Sequence, residues 1–400
     1  MNKLSLAVFN TQPPHLYFGG VERRILETGK CLSRELDFSV YSGTKAGFRE
    51  PASVDGVKIF PCQSTDRIFP LDNWTFNRTL SKMTENIKAD VYEAHTASGY
   101  GFQRTLRKRG LQTPIIQTIH GVLADEAEKQ SQQGAMSMRD RISNYFMKRL
   151  AQVEAEAAWN ATLVVTISKY SQKKIQDLYH IEPRKIRIAP NGVDPERFKP
   201  REDCEKVRRP FDAGGKQIVL FVGRLIPRKG LGYLVQAAKR IVKERSETLF
   251  AIAGDGPLKK QLISDVALAS LNRNFAFLGD VSEANLPAIY ACSNVFAFPS
   301  IQEGQGIALL EAQASGVPVV AFSISGVAET VMHGETGLLL EPDSNALAEG
   351  ILRLLADSTL RQKMGVKARQ FVLERHTWDT CAQKMLSVYR EALDICRFRH

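Results

Sequence analysis

A short apolar run followed by an amphipathic stretch, repeated through most of its length, is the feature that most constrains this 400-residue chain. In the first half the runs are Leu4–Phe9, Phe38–Tyr41, Val57–Phe60, Val91–Ala94, Pro114–Ile119 and Leu163–Ile167. Helical periodicity lies between several of them, as at Val21–Leu36 and Phe76–Ile87. A second set follows at Ile218–Val222, Leu249–Ala253, Ala276–Leu278, Val295–Phe298 and Val317–Ala321. Its helical stretches are Leu231–Lys243, Leu258–Ala269, Leu286–Tyr290 and Ile307–Ser315, and then Ala346–Ala356, Leu360–Leu373 and Trp378–Cys396. Strands alternating with helices imply a mostly parallel sheet covered on both faces. The break between the sets, Lys199 to Lys216, is rich in Pro, charge and Gly-Gly and reads as a linker. The expectation is an α/β chain of two doubly wound, Rossmann-like domains, 1–199 and 200–377. Such domains bind ligands at the carboxyl ends of their strands, so two of them facing each other make a cleft.

Composition narrows the classes further. Hydrophobic residues at 44% and charged residues at 24% exclude disordered and collagen-like chains. The six cysteines are far apart, with no C-x-x-C pair, which argues against a zinc site or a disulfide framework and for a reducing compartment. The apolar start of MNKLSLAVFNTQPPH is too short for a signal peptide, and no stretch approaches the ~20 apolar residues of a membrane span. A cytoplasmic protein, peripheral at most to the inner face of a membrane, is expected. Net charge is +11, with 29 Lys+Arg against 21 Asp+Glu in residues 1–200 and 25 against 22 in residues 201–400. That surplus suits phosphates or an anionic membrane. Nucleic-acid binding would rest on charge alone, because no zinc spacing, RNA-recognition signature or helix-turn-helix pattern accompanies it.

The strongest local signal is Phe298-Pro299-Ser300-Ile301-Gln302-Glu303-Gly304-Gln305-Gly306-Ile307, running on to Glu311. It joins an apolar strand to an apolar helix, with Glu303 before the helix and Glu311 about two turns inside it. Gly304 and Gly306 leave the backbone bare at a helix start, where free N–H groups and the helix dipole suit a phosphate. The flanking carboxylates are better suited to sugar hydroxyls. Upstream, Val222-Gly223-Arg224-Leu225-Ile226-Pro227-Arg228-Lys229-Gly230 follows the first strand of the second domain. Arg224 and Lys229 there are placed to neutralise a diphosphate leaving group. Taken singly, each segment also fits an ordinary surface loop.

Together they resemble glycosyltransferase family 4, retaining enzymes of the GT-B fold. The matching pieces span nearly the whole chain: Gly19-Gly20-Val21-Glu22, Thr118-Ile119-His120-Gly121, Ile167-Ser168, Pro190-Asn191-Gly192-Val193-Asp194, Val222-Gly223-Arg224-Leu225, Lys229-Gly230, Ala253-Gly254-Asp255-Gly256-Pro257, Leu278-Gly279, Phe298-Pro299-Ser300 and the Glu303/Glu311 pair. Ser325-Gly326-Val327-Ala328-Glu329 is similar to the family's Gly-Gly-x-Pro-Glu turn. The resemblance implies that Glu311 accepts from the ribose hydroxyls and that Arg224 and Lys229 hold the diphosphate. It implies that Glu303 contacts a sugar hydroxyl and that the amides across Gly304, Gln305, Gly306 and Ile307 reach sugar and phosphate. Gly19 and Gly20 correspond to the first-domain turn near phosphates and acceptor, and His120 to a histidine lining the sugar pocket. The last helix, 378–400, is expected to pack back on the first domain.

The implied reaction moves a hexosyl group from a nucleotide sugar to an acceptor hydroxyl with retention, in polysaccharide, glycolipid or cell-envelope glycan synthesis. UDP sugars are preferred slightly over GDP-mannose, and the acceptor is a sugar or a lipid-linked glycan. No Asp-x-Asp occurs, so no obligate metal and no cofactor are expected. Two other readings stay open, a GT-B nucleotide-sugar epimerase and a catalytically silent nucleotide-binding subunit. Gln305 and Gln313 depart from the family's frequent Phe and Met, which puts the packing of the loop in question. Arg34-Glu35-Leu36-Asp37 stands where the family has Gly-His. Finally, the stretch Met136–Trp159 carries Met138, Ile142, Tyr145, Phe146, Leu150 and Val153 on one stripe, flanked by Arg139, Arg141, Lys148 and Arg149. With Arg104, Arg107, Lys108 and Arg109 it reads as a helix packed on the sheet with a solvated basic side, or else as a surface for an anionic membrane.

Overall fold

The computed structural model describes residues 3–17, 19–65, 71–111, 113–132, 138–201, 203–208 and 215–398. The chain divides into two compact units, Met1–Asn191 with Trp378–His400, and Gly192–Thr377. In the first unit the order is β1 Leu4–Asn10, α1 Gly20–Leu32, β2 Leu36–Gly43, β3 Ala52–Val54, β4 Val57–Cys62, α2 Leu71–Lys82, β5 Val91–His95 and α3 Tyr100–Lys108. It continues with β6 Ile115–Ile119, α4 Leu123–Gln132, α5 Met138–Asn160, β7 Leu163–Thr166, α6 Lys169–Tyr179 and β8 Ile186–Ile188. The sheet runs β3-β4-β2-β1-β5-β6-β7-β8, and every pair is parallel except β3 with β4.

The second unit contains α7 Glu205–Arg208, β9 Gln217–Val222, α8 Leu231–Glu244, β10 Thr248–Ala253, α9 Lys259–Leu268, β11 Phe275–Gly279 and α10 Leu286–Ala291. It goes on through β12 Val295–Phe298, α11 Ile307–Ala314, β13 Val319–Phe322, β14 Gly337–Leu340, α12 Ser344–Ala356 and α13 Ser358–Arg375. Its sheet is all parallel, in the order β11-β10-β9-β12-β13-β14. The final helix, α14 Trp378–Arg397, returns to the first unit and packs on α1.

Burial on both faces explains the unbroken apolar strands. Along β9, Val219 and Phe221 belong to a core closed by Leu234 and Ile351, while Ile218 and Leu220 belong to the opposite core, closed by Leu310 and Phe371. A side chain such as Phe221 or Phe250, fully buried, contributes about 1.5–3 kcal/mol through burial. Apart from the β3–β4 hairpin, the order reverses once in each sheet, between β1 and β5 and between β9 and β12. The carboxyl ends at such reversals are where open α/β sheets bind ligands.

Several expectations shift. α1 stops at Leu32, and Leu36 opens β2 opposite Leu4, because its side chain is spent on the sheet. The helix expected at Phe76–Ile87 lies at Leu71–Lys82. Strands β3, β8 and β14 were not foreseen; they are three or four residues long, too short for a period to register. The division lies at Asn191/Gly192 rather than after Lys199. Phe198 is buried in the second unit's core, and the Arg369 guanidinium donates to the carbonyls of Phe198 (3.0 Å) and Pro195 (3.2 Å). Cys204 and Cys292 form a disulfide, with Cα atoms 5.3 Å apart and a separation of 88 positions in sequence. The expectation of unpaired cysteines therefore fails at this pair, since a long separation carries no spacing signature. Among the described residues Cys31, Cys62, Cys381 and Cys396 are free.

Candidate active site

The second unit gathers its candidate residues at the β9/β12 reversal. β9 ends at Val222, and the turn that follows carries Arg224 and a short 3-10 helix, Pro227–Lys229. Gly230 has φ 65, and a Cβ there would stand 1.9 Å from the Pro299 carbonyl oxygen, so only glycine lets the two loops meet. The Ile301 N–H donates to the Arg228 carbonyl at 2.9 Å, locking the loop after β9 to the loop after β12.

Lys229 Nζ donates to Glu303 Oε2, Arg228 Nη1 reaches the same oxygen at 3.4 Å, and the Lys229 ammonium lies 4.9 Å from the Phe298 ring centroid. The pair is largely buried, with side-chain exposures of 12% and 14%. Burial by itself would raise the Glu303 carboxyl, but Lys229 and Arg228 outweigh it and hold the group below its ordinary value. Burial lowers the Lys229 ammonium, and Glu303 opposes that shift. The two residues assigned separately to diphosphate and sugar are thus bonded to each other. Arg224 differs from them. It is exposed, and among the described residues its guanidinium makes no hydrogen bond or ion pair.

Gly306, in a left-handed conformation, is the N-cap of α11, and no side chain caps the helix there. Glu311 is the fifth residue of α11, one turn inside it rather than two. It is buried, and the Tyr290 hydroxyl donates to its Oε2 at 2.8 Å. Gly304 lies in the loop itself, and Gly326 N–H donates to the Glu303 carbonyl at 3.1 Å. Gln305 is buried at 2%, and its carbonyl accepts from Thr330 Oγ1 at 3.3 Å. Gln313 donates to the Leu309 and Thr330 carbonyls at 3.2 and 3.0 Å, a role a methionine would not fill. The Gln313 side chain therefore ties α11 to Thr330, just past the turn Ser325–Glu329, whereas the Gln305 contact is made by its backbone and does not depend on its side chain.

The first unit holds the remaining candidates at carboxyl ends of its own strands. Gly19 and Gly20 open α1, with Gly19 as N-cap. Glu22 folds back over Gly19, leaving only 2.2 Å between its Oε2 and a Cβ placed there, and accepts from Asn10 Nδ2 at 3.1 Å. Part of this glycine's purpose is therefore to admit the Glu22 carboxylate at the helix start. His120 directly follows β6, and its Nε2 lies 2.8 Å from His95 Nδ1 at the end of β5. Burial depresses both rings, His95 to about 4 and His120 well below its usual value, and the neighbouring Arg24 guanidinium adds to this. Among the described residues, no group of three or more His, Cys, Asp or Glu is placed to hold a metal ion.

Residues 204–371 match the family Glycosyl transferases group 1, and residues 18–197 match Glycosyltransferase Family 4. The chain belongs to the group 1, family 4 type of the glycosyltransferase families. It is 32% identical to a GDP-mannose-dependent alpha-(1-6)-phosphatidylinositol monomannoside mannosyltransferase of Mycolicibacterium smegmatis, over 58% of this chain and 64% of that one. Across the first curated relatives it spans 62% to 65% of their length. Among solved structures it is similar to sucrose-phosphate synthase from Thermosynechococcus elongatus, with TM-score 0.82, 22% identity and coverage of 97% and 99%. It is also similar to HepE from Anabaena, solved with UDP and glucose, with TM-score 0.76, 18% identity and coverage of 97% and 100%. These likenesses make the fold GT-B.

In this family member, three residues near the candidate site are not marked by any sequence motif. Arg228 stands inside the Val222–Gly230 segment beside the cations that the pattern marks, Tyr290 reads as a core aromatic, and His95 closes a strand two places after Glu93. Position at or after a strand end was the signal for His95 and Arg228, and Tyr290, on α10, had none. Ser325, standing where the family pattern has its first glycine, has φ 46 and so occupies the left-handed region.

The helix α5 corrects another expectation. Met138 and Arg139 have side chains outside the described residues. Ile142 (52% exposed), Tyr145 (55%) and Phe146 (37%) are turned outward rather than packed on the sheet. The inward face is Asn144, Leu150, Ala151, Glu154, Ala157 and Ala158. Glu154 is fully buried, accepts from the Tyr179 hydroxyl at 2.7 Å, and is pushed by burial up to about 8. No described helix is long and apolar enough to cross a membrane.

Proposed function

We propose that the protein transfers a hexosyl group from a nucleoside diphosphate sugar to an acceptor hydroxyl with retention of configuration. The observation that carries this reading is the second unit's loop–helix junction. There an uncapped helix start, a buried Glu311 held by Tyr290, the Lys229–Glu303 pair and an Arg224 exposed and, among the described residues, unpaired meet at the strand-order reversal. Glu311 accepts from the ribose hydroxyls. Arg224 and the α11 amides take the diphosphate. An ammonium has three donors, so Lys229 can hold Glu303 with one and reach a phosphate oxygen with another. Glu303, kept ionised by its two cations, accepts from a sugar hydroxyl.

In this reading the bond from the anomeric carbon to the phosphate oxygen breaks as the acceptor oxygen bonds to the same face. The acceptor's proton passes to the departing phosphate oxygen. Charge neutralisation by Arg224, Lys229 and the helix start serves without an obligate metal. The mannosyltransferase relative and the UDP-bound neighbour together support a nucleoside diphosphate hexose of either base.

A lipid-linked acceptor at an anionic membrane fits the outward face of α5. Arg141, Lys148 and Arg149 surround exposed Ile142, Tyr145 and Phe146, and the Arg149 guanidinium lies 5.4 Å from the Tyr145 ring centroid. Flotation with liposomes tests it. Binding that requires anionic lipid and falls in Tyr145→Ala/Phe146→Ala supports this acceptor side, and no binding removes it.

The central test is a thermal-shift screen of UDP, GDP and their sugars, followed by nucleotide release with and without acceptors. A matched donor raises the melting temperature by mass action, and release depends on acceptor. Release of isomerised sugar without acceptor would mark an epimerase, and nucleotide binding without any release a silent subunit. Wild-type behaviour in Arg224→Ala, Lys229→Ala and Glu311→Ala together would remove the site assignment.

A further inference from the structure

Beside His120 the first unit buries a chain of polar groups for which the transfer chemistry above has no use. Glu93, on β5, is 3% exposed and accepts from Thr118 Oγ1 at 2.6 Å and from the Tyr389 hydroxyl on α14. One of its oxygens lies 3.4 Å from His95 Nε2, and His95 Nδ1 lies 2.8 Å from His120 Nε2. Arg24, 1% exposed, supplies the nearby positive charge and donates to the Ala189 carbonyl at 2.7 Å and to Asn191 Oδ1 at 3.0 Å.

The two imidazoles share one bond, so one facing nitrogen carries a proton and the other a lone pair. Which one is protonated follows from the far side of His95. A lone pair on His95 Nε2 facing a carboxylate oxygen is repelled, whereas an N–H there is attracted. With the proton on His95 Nε2, the neutral ring leaves Nδ1 as an acceptor. His120 must then donate its Nε2–H.

We propose that Glu93 and His95 are positioning residues for His120, fixing it as the Nε2–H tautomer so that its unprotonated Nδ1 is the acceptor it offers to a sugar hydroxyl. The last clause rests on the reading that His120 contacts the sugar, while the tautomer itself does not. Tyr389 and Thr118 hold the Glu93 carboxylate in place, so α14 completes the arrangement after the chain has passed through the whole second unit.

Long-range proton–nitrogen correlation on protein labelled with 15N-histidine reads the tautomer directly, and the His120 signals are assigned by their loss in His120→Asn. In wild type His120 shows a protonated Nε2 and an unprotonated Nδ1. In Glu93→Gln the carboxamide can donate to His95 Nε2, and the His120 proton moves towards Nδ1. Turnover falls roughly tenfold, the size typical of a group that orients a ligand without touching the substrate, while the donor KM stays within about twofold. An Nδ1–H tautomer in wild-type His120, or a tautomer unaltered by Glu93→Gln, overturns the proposal. Full transfer by His120→Ala alongside the expected wild-type tautomer would instead remove the sugar contact and leave the positioning intact.

Discussion

The two units solve the same architectural problem with opposite chemistry. Each sets its candidate groups at the carboxyl ends of parallel strands near a strand-order reversal. In the second unit these groups are charges: Lys229 and Arg228 on Glu303, and Arg224 exposed beside them in the same turn. In the first unit they are His95 and His120, both kept neutral at ordinary pH by burial and by Arg24. Burial alone does not decide between these states. Glu303 stays ionised because two cations reach one of its oxygens. His120 stays neutral because burial acts on it with a neutral ring as its nearest partner and no carboxylate bonded to it to oppose that burial. On the proposed function, a departing diphosphate needs charge and a sugar hydroxyl needs direction, and the two units' candidate groups match that division.

The largest expected effect tests the charged side. Lys229→Met leaves Glu303 with Arg228 as its main cation, and removing one partner of a buried pair costs about 3 kcal/mol. Chemical denaturation measures this, and a loss near zero would mean that the pair is solvated. Arg224→Ala sharpens the contrast, because the side chain is exposed and unpaired in the described structure. Its stability should stay within about 0.5 kcal/mol of wild type. Its turnover should fall about a hundredfold, as when one preorganised donor to developing charge is removed. Glu311→Gln keeps the shape but removes the charge, weakening nucleotide binding roughly tenfold by calorimetry, which is a charged hydrogen bond's worth.

Ser325→Gly relieves a left-handed residue in the turn beneath the Glu303 loop and should stabilise the fold by about 1 kcal/mol. Last comes an expected absence on the first-unit side. NMR signals of His95 and His120 should show no titration between pH 8 and 5. Unfolded histidines take up protons below about 6.5, whereas His95 resists to about 4. Stability should therefore decline as the pH falls across that interval. A histidine midpoint near 6.5 for either ring would erase the difference between the units.

Much of the architecture could be read before any coordinates. The apolar runs at Leu163–Ile167 and Val295–Phe298 are strands to within a residue, because a strand buried on both faces cannot hide its composition. The Glu303–Glu311 loop was visible because its glycines and carboxylates are consecutive in the chain. Leu36 was placed on the wrong element, since one more apolar position continues a helical period as readily as it opens a strand. The outward turn of Ile142, Tyr145 and Phe146 escaped because a stripe of apolar residues does not say which face of α5 the sheet takes.

The sequence alone determined two doubly wound units, their motif order and the candidate donor loop, since burial and backbone freedom leave marks within a few positions. The tertiary structure decided the partnerships: Lys229 with Glu303 across 74 positions, His95 with His120 across 25, and Tyr389 with Glu93 across 296. It also paired Cys204 with Cys292. Charge state and tautomer depend on distances through space, and no periodicity along the chain records them.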